Sequence, residues 1–571
     1  SLDDNLKKEI RKIALQNAVE HDGKTKDKVV LSKSLGTIPE LKSNVKDAIP
    51  EIASIVSQVN GMSTEEQKTE IQNNFPEILN VKETVKEERV GLPPLEGAEQ
   101  GKVVTRFTPA PNGYPHIGHA KAAIISEEYT KMYGGKLVLR FDDTNPEDTR
   151  LEYWAAIKVG LDWLGIKFDQ EKNTSDDIEL LYDKCVEMIK KNSAYVCTCK
   201  RDTISKNRKE MVSCECSMGD TKQNEDRWKQ MFDKYKPGEA IVRFRGDMES
   251  KNTVMRDPVL FRINDARHPR LAEKYRVWPS YDFAVAVEDY TDGITHALRS
   301  KEYELRNELY HAILDALGMQ HPKMLEFSRL EFKGMPVSKR VLRPLIDEGK
   351  VSWYDDPRLP TLEALKRRGI TSEAIRKFTL SLSLTKADTL APFDSLEAFN
   401  RKIIDENSIR LFMVKDPKTL KINNLPNSTV ELPNHPSNKM GTRKVTIEDG
   451  VFLSSEDVKD LKVGDQLRLM GLGNVKITSI NTEITAEFTG DDHNVNFMKL
   501  QWVSKKNAHE LKIIIPQQLF VNDKFNEESL EEIHVYTEPH YLEVKNDEEI
   551  QFVRFGYCRK DSSKQAIFTH K

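Results

Sequence analysis

The spacing of hydrophobic and polar positions changes several times along the chain. The clearest pattern, over residues 103–141, indicates the start of a folded core. A short apolar run over residues 103–107 is followed by a turn, a helical stretch, a Gly-Gly turn and a second apolar run over residues 137–141. Two short apolar runs that flank a helix are typical of a βαβ unit. The pattern therefore predicts the start of a parallel, doubly wound sheet, whose ligands lie at the carboxyl ends of the strands.

The two ends of the chain follow other patterns. Residues 1–98 are rich in Lys and Glu and have helical periodicity, with a linker that contains Gly and Pro over residues 91–97, so they predict a small helical domain. Beyond residue 416, short apolar runs alternate with turns, as at residues 444–447, 466–469 and 512–515. Strands spaced roughly 8–12 residues apart predict β-barrels in this region.

Between these ends, the apolar spacing predicts further elements. Helices are expected over residues 151–164, 176–191, 301–317 and 395–412, and strands over residues 240–245, 259–263 and 295–298. The apolar run over residues 281–287 is expected to return the chain to the core sheet. The patterns together predict an α/β multidomain protein with segments at residues 1–98, 99–192, 193–279, 280–343, 344–412 and 413–571.

Composition narrows the class of protein. The formal net charge of −4 shows no basic excess, so any nucleic-acid binding must use local patches. Six cysteines in 571 residues do not indicate a disulfide framework. The acidic start lacks the apolar stretch of a signal peptide, and no apolar run approaches the roughly 20 residues of a membrane span. We therefore expect a soluble cytoplasmic protein without a membrane partner.

Candidate chemistry lies where the predicted helix of the βαβ unit begins. A helix start suits an anion such as a triphosphate, and Gly118 lets a nucleotide approach the backbone closely. His116 and His119, one turn apart, can both donate to phosphate oxygens as charge develops on them. Asp142, at the end of the next strand, can hold an ammonium or a hydroxyl group. The alternative is that the histidines cap this helix and the aspartate caps the next one.

Four of the six cysteines form two Cys-x-Cys pairs, Cys197 with Cys199 and Cys214 with Cys216. Such pairs can supply four thiolates to a tetrahedral Zn²⁺ ion, which would be structural because a Cys₄ set leaves no open coordination position. The alternative is four reduced thiols in a small hairpin. In the strands that follow, basic and aromatic residues interleave, a pattern found in nucleic-acid surfaces but also on ordinary exposed strands.

Three runs of sequence carry a resemblance to a known family. The run His116-Ile117-Gly118-His119, after Pro111-Asn112-Gly113, matches the HIGH signature of class I aminoacyl-tRNA synthetases. The run Arg140-Phe141-Asp142-Asp143-Thr144-Asn145-Pro146 resembles the glutamyl/glutaminyl branch of that class in its archaeal and eukaryotic form. The run Pro336-Val337-Ser338-Lys339-Arg340 resembles the KMSKS loop, although its first two positions depart from the consensus.

The resemblance implies both an architecture and an activity. In chain order, the six segments would be an N-terminal helical appendage, the first half of a Rossmann-type catalytic core, an inserted acceptor-end-binding domain with the zinc site, the second half of the core, a helical stem-contact region and a β-barrel anticodon-binding domain. The implied activity is ATP-dependent joining of L-glutamate to the 3′ end of tRNA-Glu through glutamyl-adenylate. Mg²⁺ would accompany ATP, held mostly by phosphates and water.

The resemblance also assigns residues to the site. The catalytic set would be His116, His119, Ser338 and Lys339, and the lysine would follow the β/γ-phosphates into the transition state. The residues that would bind ATP are Ala110, Pro111, Asn112, His116, Ile117, Gly118, His119, Ser300, Arg329, Leu330, Val337, Ser338 and Lys339.

Specificity for the amino acid is expected to depend on Arg299, at the end of a predicted strand. Its fork suits the side-chain carboxylate of glutamate, whereas a buried Arg that faces a neutral amide would cost on the order of several kcal/mol. In the glutaminyl enzymes the matching position is typically not a cation. Arg106 is a second candidate partner for a carboxylate, and Tyr281 and Asp142 would hold the ammonium and backbone of the substrate. The alternative for Arg299 is a surface salt bridge with Glu302.

Other functions stay possible at this stage. A glutamine–tRNA ligase of the same fold is disfavoured by Arg299, and an inactive tRNA-binding scaffold by intact His116, His119, Ser338 and Lys339. An adenylating enzyme that modifies another acceptor usually lacks an anticodon domain. Some relatives charge tRNA-Gln as well as tRNA-Glu, and the motifs do not distinguish the two cases. A monomer is expected for a chain with this many domains.

Overall fold

The computed structural model describes residues 2–78, 91–384, 389–493 and 496–571, and it separates into two units, Ser1–Gly91 and Leu92–Lys571. The predicted N-terminal domain at residues 1–98 includes residues 79–90, which lie outside the described residues. In the part of the chain that is described, no helix has both the length and the apolar character needed to cross a membrane.

The N-terminal unit is helical. Its helices pack around a buried core that includes Ile10, Leu41 and Val59. Ser63 caps the helix Thr64–Asn74 by accepting a hydrogen bond from the backbone N–H of Glu66 at 3.1 Å. Over residues 2–76 the α-helices are Asp4–Glu20, Asp27–Thr37, Val45–Asn60 and Thr64–Asn74.

Parallel strands with helices packed on them form the core of the second unit and confirm the predicted α/β fold class. The first half contains strands Val104–Phe107, Lys136–Phe141 and Gln170–Asn173 and helices Ile117–Tyr133, Leu151–Trp163 and Ile178–Lys190. The second half contains strands His296–Ser300 and Lys323–Phe327 and helices Tyr281–Thr291 and Asn307–Ala316. The backbone N–H of Thr295 donates to the carbonyl of Val104 at 3.0 Å and so joins the two halves.

The apolar run at residues 281–287 was predicted to rejoin the sheet, and this prediction is wrong. The run begins the helix Tyr281–Thr291, which Ser280 caps by accepting a hydrogen bond from the N–H of Phe283 at 3.3 Å. The helix is buried over most of its length. A short apolar run fits a buried helix as well as a buried strand, because periodicity alone cannot separate them.

Two predicted helices have different limits in the structure. The helix expected from residue 301 begins only at Asn307, because a 3₁₀ segment, Lys301–Arg306, precedes it. The helix expected over residues 395–412 ends at Ile404, and its last predicted residues lie in the strand Ile409–Leu411. In both places a 3₁₀ segment, Lys301–Arg306 or Asp405–Asn407, lies within the predicted helix.

An inserted domain lies between the two halves of the core. Its sheet has four antiparallel strands, Ala194–Cys197, Ile241–Phe244, Val259–Ile263 and Val277–Pro279, and its helices are Arg201–Glu210 and Thr221–Met231. His268 attaches the insertion to the core, since its Nε2 lies 2.9 Å from the carbonyl oxygen of buried Asp143. The same aspartate accepts a hydrogen bond from the N–H of Ser175 at 2.9 Å.

A helical region and two large sheets complete the second unit. The helices are Lys339–Asp347, Leu362–Arg368, Ser372–Leu382 and Phe393–Ile404, with a short one at Ser455–Val458. Each sheet has seven strands and its own buried core, which confirms the predicted barrel-like region. In sheet order, one contains Ile409–Leu411, Glu549–Phe552, Gly556–Lys560, Gln565–His570, His509–Pro516, Leu530–Thr537 and Met413–Val414. The other contains Met498–Leu500, Gln466–Leu469, Gly473–Ile480, Ile484–Gly490, Pro417–Asn423, Val451–Ser454 and Val503–Ser504.

The second unit also contains three small strand pairs: Leu330–Phe332 with Thr389–Ala391, Thr429–Pro433 with Thr442–Thr446, and Phe520–Val521 with Lys524–Phe525.

Candidate active site

A cavity of about 550 Å³ lies at the carboxyl ends of the strands Val104–Phe107 and His296–Ser300. It brings together most of the side chains that the sequence singles out, although they come from separate parts of the chain. The predicted site residues that line it are Arg106, Ala110, Asn112, His116, Gly118, His119, Asp142, Tyr281, Arg299, Ser300, Arg329, Leu330, Val337, Ser338 and Lys339.

Two residues that were expected to contact ATP, Pro111 and Ile117, do not line this cavity. Ile117 is completely buried and packs in the hydrophobic core behind the cavity. Pro111 is also buried, and its carbonyl accepts a hydrogen bond from the backbone N–H of Arg150 at 3.2 Å. These two residues of the signature run therefore support the loop and the helix from inside the protein.

Backbone N–H groups fix the rings of His116 and His119. Nδ1 of His116 accepts a hydrogen bond from the N–H of Gly118 at 3.0 Å, and Nδ1 of His119 accepts one from the N–H of His116 at 3.1 Å. A ring nitrogen that accepts is unprotonated, so each neutral ring carries its hydrogen on Nε2. The two histidines therefore cap the helix Ile117–Tyr133 and keep an Nε2–H donor on each ring, so the two interpretations of these residues are compatible.

Burial keeps both rings neutral. It lowers the pKa of His119 to about 4, and burial together with the neighbouring His119 holds the pKa of His116 well below its ordinary value. Their ring centroids lie 3.8 Å apart. Gly118 is required beside them, because a Cβ at this position would lie 2.9 Å from Cε1 of His116.

The lysine loop, residues 336–340, forms another wall of the cavity. Ser338 occupies the N-cap position of the helix Lys339–Asp347. The loop is anchored where the N–H of Val337 donates to Oε1 of Glu331 at 3.1 Å. Burial lowers the pKa of Lys339, whose side chain lines the same cavity as the two histidines.

Arg106 reaches the cavity, but much of its guanidinium is already bound. Nε and Nη2 lie 3.0 and 3.1 Å from the carboxylate oxygens of Asp289, and Nη1 donates to the carbonyl of Leu298 at 2.9 Å. Arg140 and Tyr310 also donate to Asp289, at 2.6 and 2.9 Å. Burial alone would raise the pKa of Asp289, but the two arginines outweigh burial and lower it to about 2. Arg106 is therefore part of a buried ion pair.

Arg299 has a different environment. It is only 5% exposed, and its fork donates to Oδ1 of Asn307 at 2.6 and 3.2 Å and to the hydroxyl of Tyr281 at 3.4 Å. The rings of Tyr303 and Tyr310 lie 5.8 and 5.4 Å from its guanidinium carbon. Across the described residues, no ion pair joins Arg299 to Glu302, so the structure does not show the salt bridge considered as the alternative.

Asp142 stands between two cavities. Its Oδ1 accepts a hydrogen bond from the hydroxyl of Thr144 at 3.1 Å, and burial raises the pKa of its carboxyl group. A second cavity of about 670 Å³ opens on its other side and shares Asp142 and Tyr281 with the first. Basic side chains of the inserted domain and of the second core half line this cavity, namely Arg208, Arg262 and Arg306.

The four predicted metal ligands lie together in the inserted domain. The Sγ atoms of Cys197 and Cys214 are 3.9 Å apart, those of Cys199 and Cys216 are 3.7 Å apart, and all four lie within 4.8 Å of one another. Bonds of about 2.3 Å to one tetrahedral zinc ion would place sulfurs roughly 3.8 Å apart, so the set fits Zn²⁺. The segment between the pairs is the helix Arg201–Glu210, not a hairpin.

The sequence did not single out several residues that line the cavity or lie next to it. Tyr114 and Tyr354 stack with ring centroids 4.3 Å apart at the edge of the cavity, and Thr361 pairs with His116 in a backbone bridge. Tyr303 and Asn307 fall in the segment that was predicted as one continuous helix. The sequence shows a polar Asn307 eight positions after Arg299, but only the fold shows that the two side chains are in contact.

Comparison with known proteins gives matches over most of the chain. The family described as "tRNA synthetases class I (E and Q), catalytic domain" matches residues 102–406. Two further families, both described as "tRNA synthetases class I (E and Q), anti-codon binding domain", match residues 408–491 and 499–561.

Curated relatives match the whole chain. A protein named glutamate–tRNA ligase from Nitrosopumilus maritimus is 63% identical over 570 residues, with 100% of both chains covered. Proteins of the same name from Cenarchaeum symbiosum and Thermococcus onnurineus are 57% and 39% identical, over 98% and 99% of this chain and 99% and 100% of theirs. A crystal structure of a glutamate–tRNA synthetase from Elizabethkingia anophelis has a TM-score of 0.42 and 19% identity over 53% of this chain and 70% of that one, too distant to support an argument.

Proposed function

The chain belongs to the class I tRNA synthetases of the E and Q group, and from this membership we infer that it is a glutamate–tRNA ligase, which joins glutamate to tRNA. One structural observation carries this inference. A single cavity holds the paired histidines, the lysine loop and an arginine whose hydrogen-bond partners are neutral. The histidines and the lysine suit the phosphates of ATP, and the arginine suits the carboxylate of an acidic amino acid.

At the ATP end, the chain supplies donors to phosphate oxygens. The Nε2–H groups of His116 and His119 are fixed by the backbone, so little reorganisation is needed when charge develops in the transition state. The ammonium of Lys339 would follow the β/γ-phosphates as pyrophosphate leaves. Catalysis of glutamyl-adenylate formation would rest on positioning and electrostatics, with no covalent enzyme intermediate.

At the amino-acid end, Arg299 would bind the side-chain carboxylate of glutamate. It is buried and its hydrogen-bond partners, Asn307 and Tyr281, are neutral, so a bound carboxylate would complete an ion pair. Asp142 would bind the substrate ammonium, and Tyr281 would contact the substrate between the two charges. Arg106, which Asp289 already neutralises, would contribute mainly a hydrogen bond.

The second cavity would receive the 3′ end of tRNA. Three arginines line it, as a phosphate backbone requires, and it shares a wall with the cavity proposed for the adenylate. The terminal ribose could then reach the acyl carbonyl across Asp142 and Tyr281. The barrel-like sheets match the anticodon-binding families and would read the distant end of the tRNA.

Two metal ions belong to the proposal. Mg²⁺ would accompany ATP and neutralise charge on its phosphates. Zn²⁺ would be held by Cys197, Cys199, Cys214 and Cys216 and would stabilise the inserted domain.

The first experiment is aminoacylation with labelled glutamate and labelled glutamine, each tested with purified tRNA-Glu and tRNA-Gln. We expect glutamate to be joined to tRNA-Glu and glutamine to neither tRNA. Transfer of glutamate to both tRNAs would keep the amino-acid site and widen the tRNA specificity. Transfer of glutamine would refute the role of Arg299, and no transfer of any amino acid would support an inactive tRNA-binding scaffold. Amino-acid activation should be assayed with tRNA present.

A further inference from the structure

We propose that Asn307 is a specificity-determining positioning residue that keeps Arg299 from pairing with Glu326. This inference rests on the proposed function, because it concerns the arginine that would bind the glutamate side chain. Neither Asn307 nor Glu326 lines the cavity, so both would act through Arg299.

A carboxylate lies directly beside Arg299 on the neighbouring strand. His296–Ser300 and Lys323–Phe327 are paired in parallel, and the register places Glu326 opposite Arg299. Paired residues on adjacent strands are roughly 5 Å apart at Cα and project to the same face. A direct ion pair between these two side chains would be the ordinary result, since opposite charges so placed attract.

The structure shows an amide in the position of that ion pair. Oδ1 of Asn307 accepts from Nη2 and Nε of Arg299, at 2.6 and 3.2 Å. Nδ2 of Asn307 donates to Oε1 of Glu326. Because the amide has one accepting and one donating end, Glu326 fixes its orientation and turns the oxygen toward Arg299. The carboxylate therefore orients the arginine through a neutral group and does not contact it.

The consequence concerns charge. Arg106, the other arginine of the cavity, is neutralised by direct contact with Asp289. Arg299 is held by an amide and a phenol, so its positive charge stays available to a ligand. A carboxylate ligand gains an ion pair there, whereas the neutral amide of glutamine gains only a hydrogen bond. Discrimination between glutamate and glutamine would depend on Asn307, which lies between Glu326 and Arg299 and prevents their direct contact.

The test uses Asn307→Ala in the full-length enzyme. Removing the amide opens the direct path between Arg299 and Glu326, and their pairing would withdraw the charge from the cavity. We expect the KM for glutamate to rise at least tenfold, because the substrate carboxylate would lose its charged hydrogen-bond donor, Arg299. The preference for glutamate over glutamine should fall for the same reason. The KM for ATP should change less than about twofold, since the histidines and the lysine loop are untouched.

The double variant Asn307→Ala with Glu326→Gln separates this role from simple damage to the fold. It removes the competing carboxylate, so it should recover at least several-fold of the lost affinity for glutamate. Glu326→Gln alone should have a small effect, because a glutamine oxygen can still accept from Asn307. Glu304→Gln serves as the matched control, since Glu304 is an exposed carboxylate on the segment between Arg299 and Asn307.

The outcomes are distinct. A KM for glutamate that is unchanged in Asn307→Ala overturns the proposal. So does a double variant that is no better than the single one, because a purely structural role of Asn307 would not be rescued by changing Glu326. If the parent enzyme itself does not charge glutamate, the proposed function fails, whatever the variants do.

Discussion

Single residues of the site show how the backbone prepares a side chain for chemistry. The histidines of the signature run are held in one tautomer by main-chain N–H groups, and Lys339 begins a helix whose preceding loop is anchored by Glu331. The sequence indicates that these residue types belong together. It does not reveal which ring nitrogen carries the hydrogen, because that depends on hydrogen bonds that exist only in the folded loop.

Lys339→Ala should reduce the rate of adenylate formation by about 100-fold or more, since removal of one preorganised group that stabilises transition-state charge has effects of this size. The KM for glutamate should change little, because Arg299 is unaffected. Pyrophosphate exchange in the presence of tRNA measures both quantities. Lys333→Ala is the control, as Lys333 is exposed just before the lysine loop. Equal exchange rates in parent and Lys339→Ala would refute the assigned role.

His119 should also make stability depend on pH. Its pKa in the folded protein is about 4 and its ordinary value is 6.5, so below 6.5 the unfolded chain binds a proton that the folded chain does not. Stability is therefore fully present above about pH 6.5 and falls as pH drops toward 4, by as much as roughly 3 kcal/mol. His119→Asn, which keeps an acceptor for the N–H of His116, should lose less stability between pH 7.5 and 5.

Urea unfolding at the two pH values measures this difference. His534→Asn, at an exposed position in a strand of the barrel region, should retain the parent's pH dependence. A His119→Asn variant with the parent's full dependence would show that other groups cause it.

At the scale of elements, the sequence predicts regular segments well and their boundaries less well. Strand and helix of the first βαβ unit lie where the apolar period places them. The helix Tyr281–Thr291 was mistaken for a return to the sheet because it is buried on nearly all sides. The 3₁₀ segment Lys301–Arg306 was predicted as part of a helix, because 3₁₀ and α-helical residues share apolar spacings. For this reason the sequence did not indicate that Asn307 contacts Arg299.

The insertion gives a prediction at this scale. Protein purified without chelator should contain about one zinc ion per chain, since the four thiols have the spacing of a tetrahedral site. Cys214→Ser should lower the zinc content sharply and reduce the thermal stability of the inserted domain. Cys558→Ser is the control, because Cys558 is a buried thiol in a barrel strand remote in sequence from the cluster. Absence of zinc in the parent protein would support four reduced thiols instead.

At the scale of the whole molecule, the sequence indicates the kinds of domain but not how distant strands pair. In one large sheet, the strand Ile409–Leu411 pairs with Glu549–Phe552, far along the chain. Non-local pairings of this kind leave no periodic signal, because they depend on the register of segments that fold separately. The sequence connects the two halves of the core only through the resemblance, in which both signature runs serve one ligand.

The division into two units predicts the effect of a truncation. The unit Leu92–Lys571 contains the cavity proposed as the active site, and the catalytic-domain family matches from residue 102. A chain that starts at Leu92 should therefore keep its KM values for ATP and glutamate within about twofold. Any loss should be seen as a higher KM for tRNA, which steady-state aminoacylation measures. A collapse of amino-acid activation would show that the N-terminal unit supports the core.

The pair of hydrogen bonds at the start of the helix Ile117–Tyr133 has a mechanical consequence. Each ring is locked by an N–H that exists in that position only while the first helical turn is wound. If the turn frays, both Nδ1 atoms are released and each imidazole becomes free to exchange tautomers and rotate. The winding of this one helical turn thus controls the orientation of both rings. Under the proposed role of the histidines, a substitution that loosens the turn would lower activity without changing either ring.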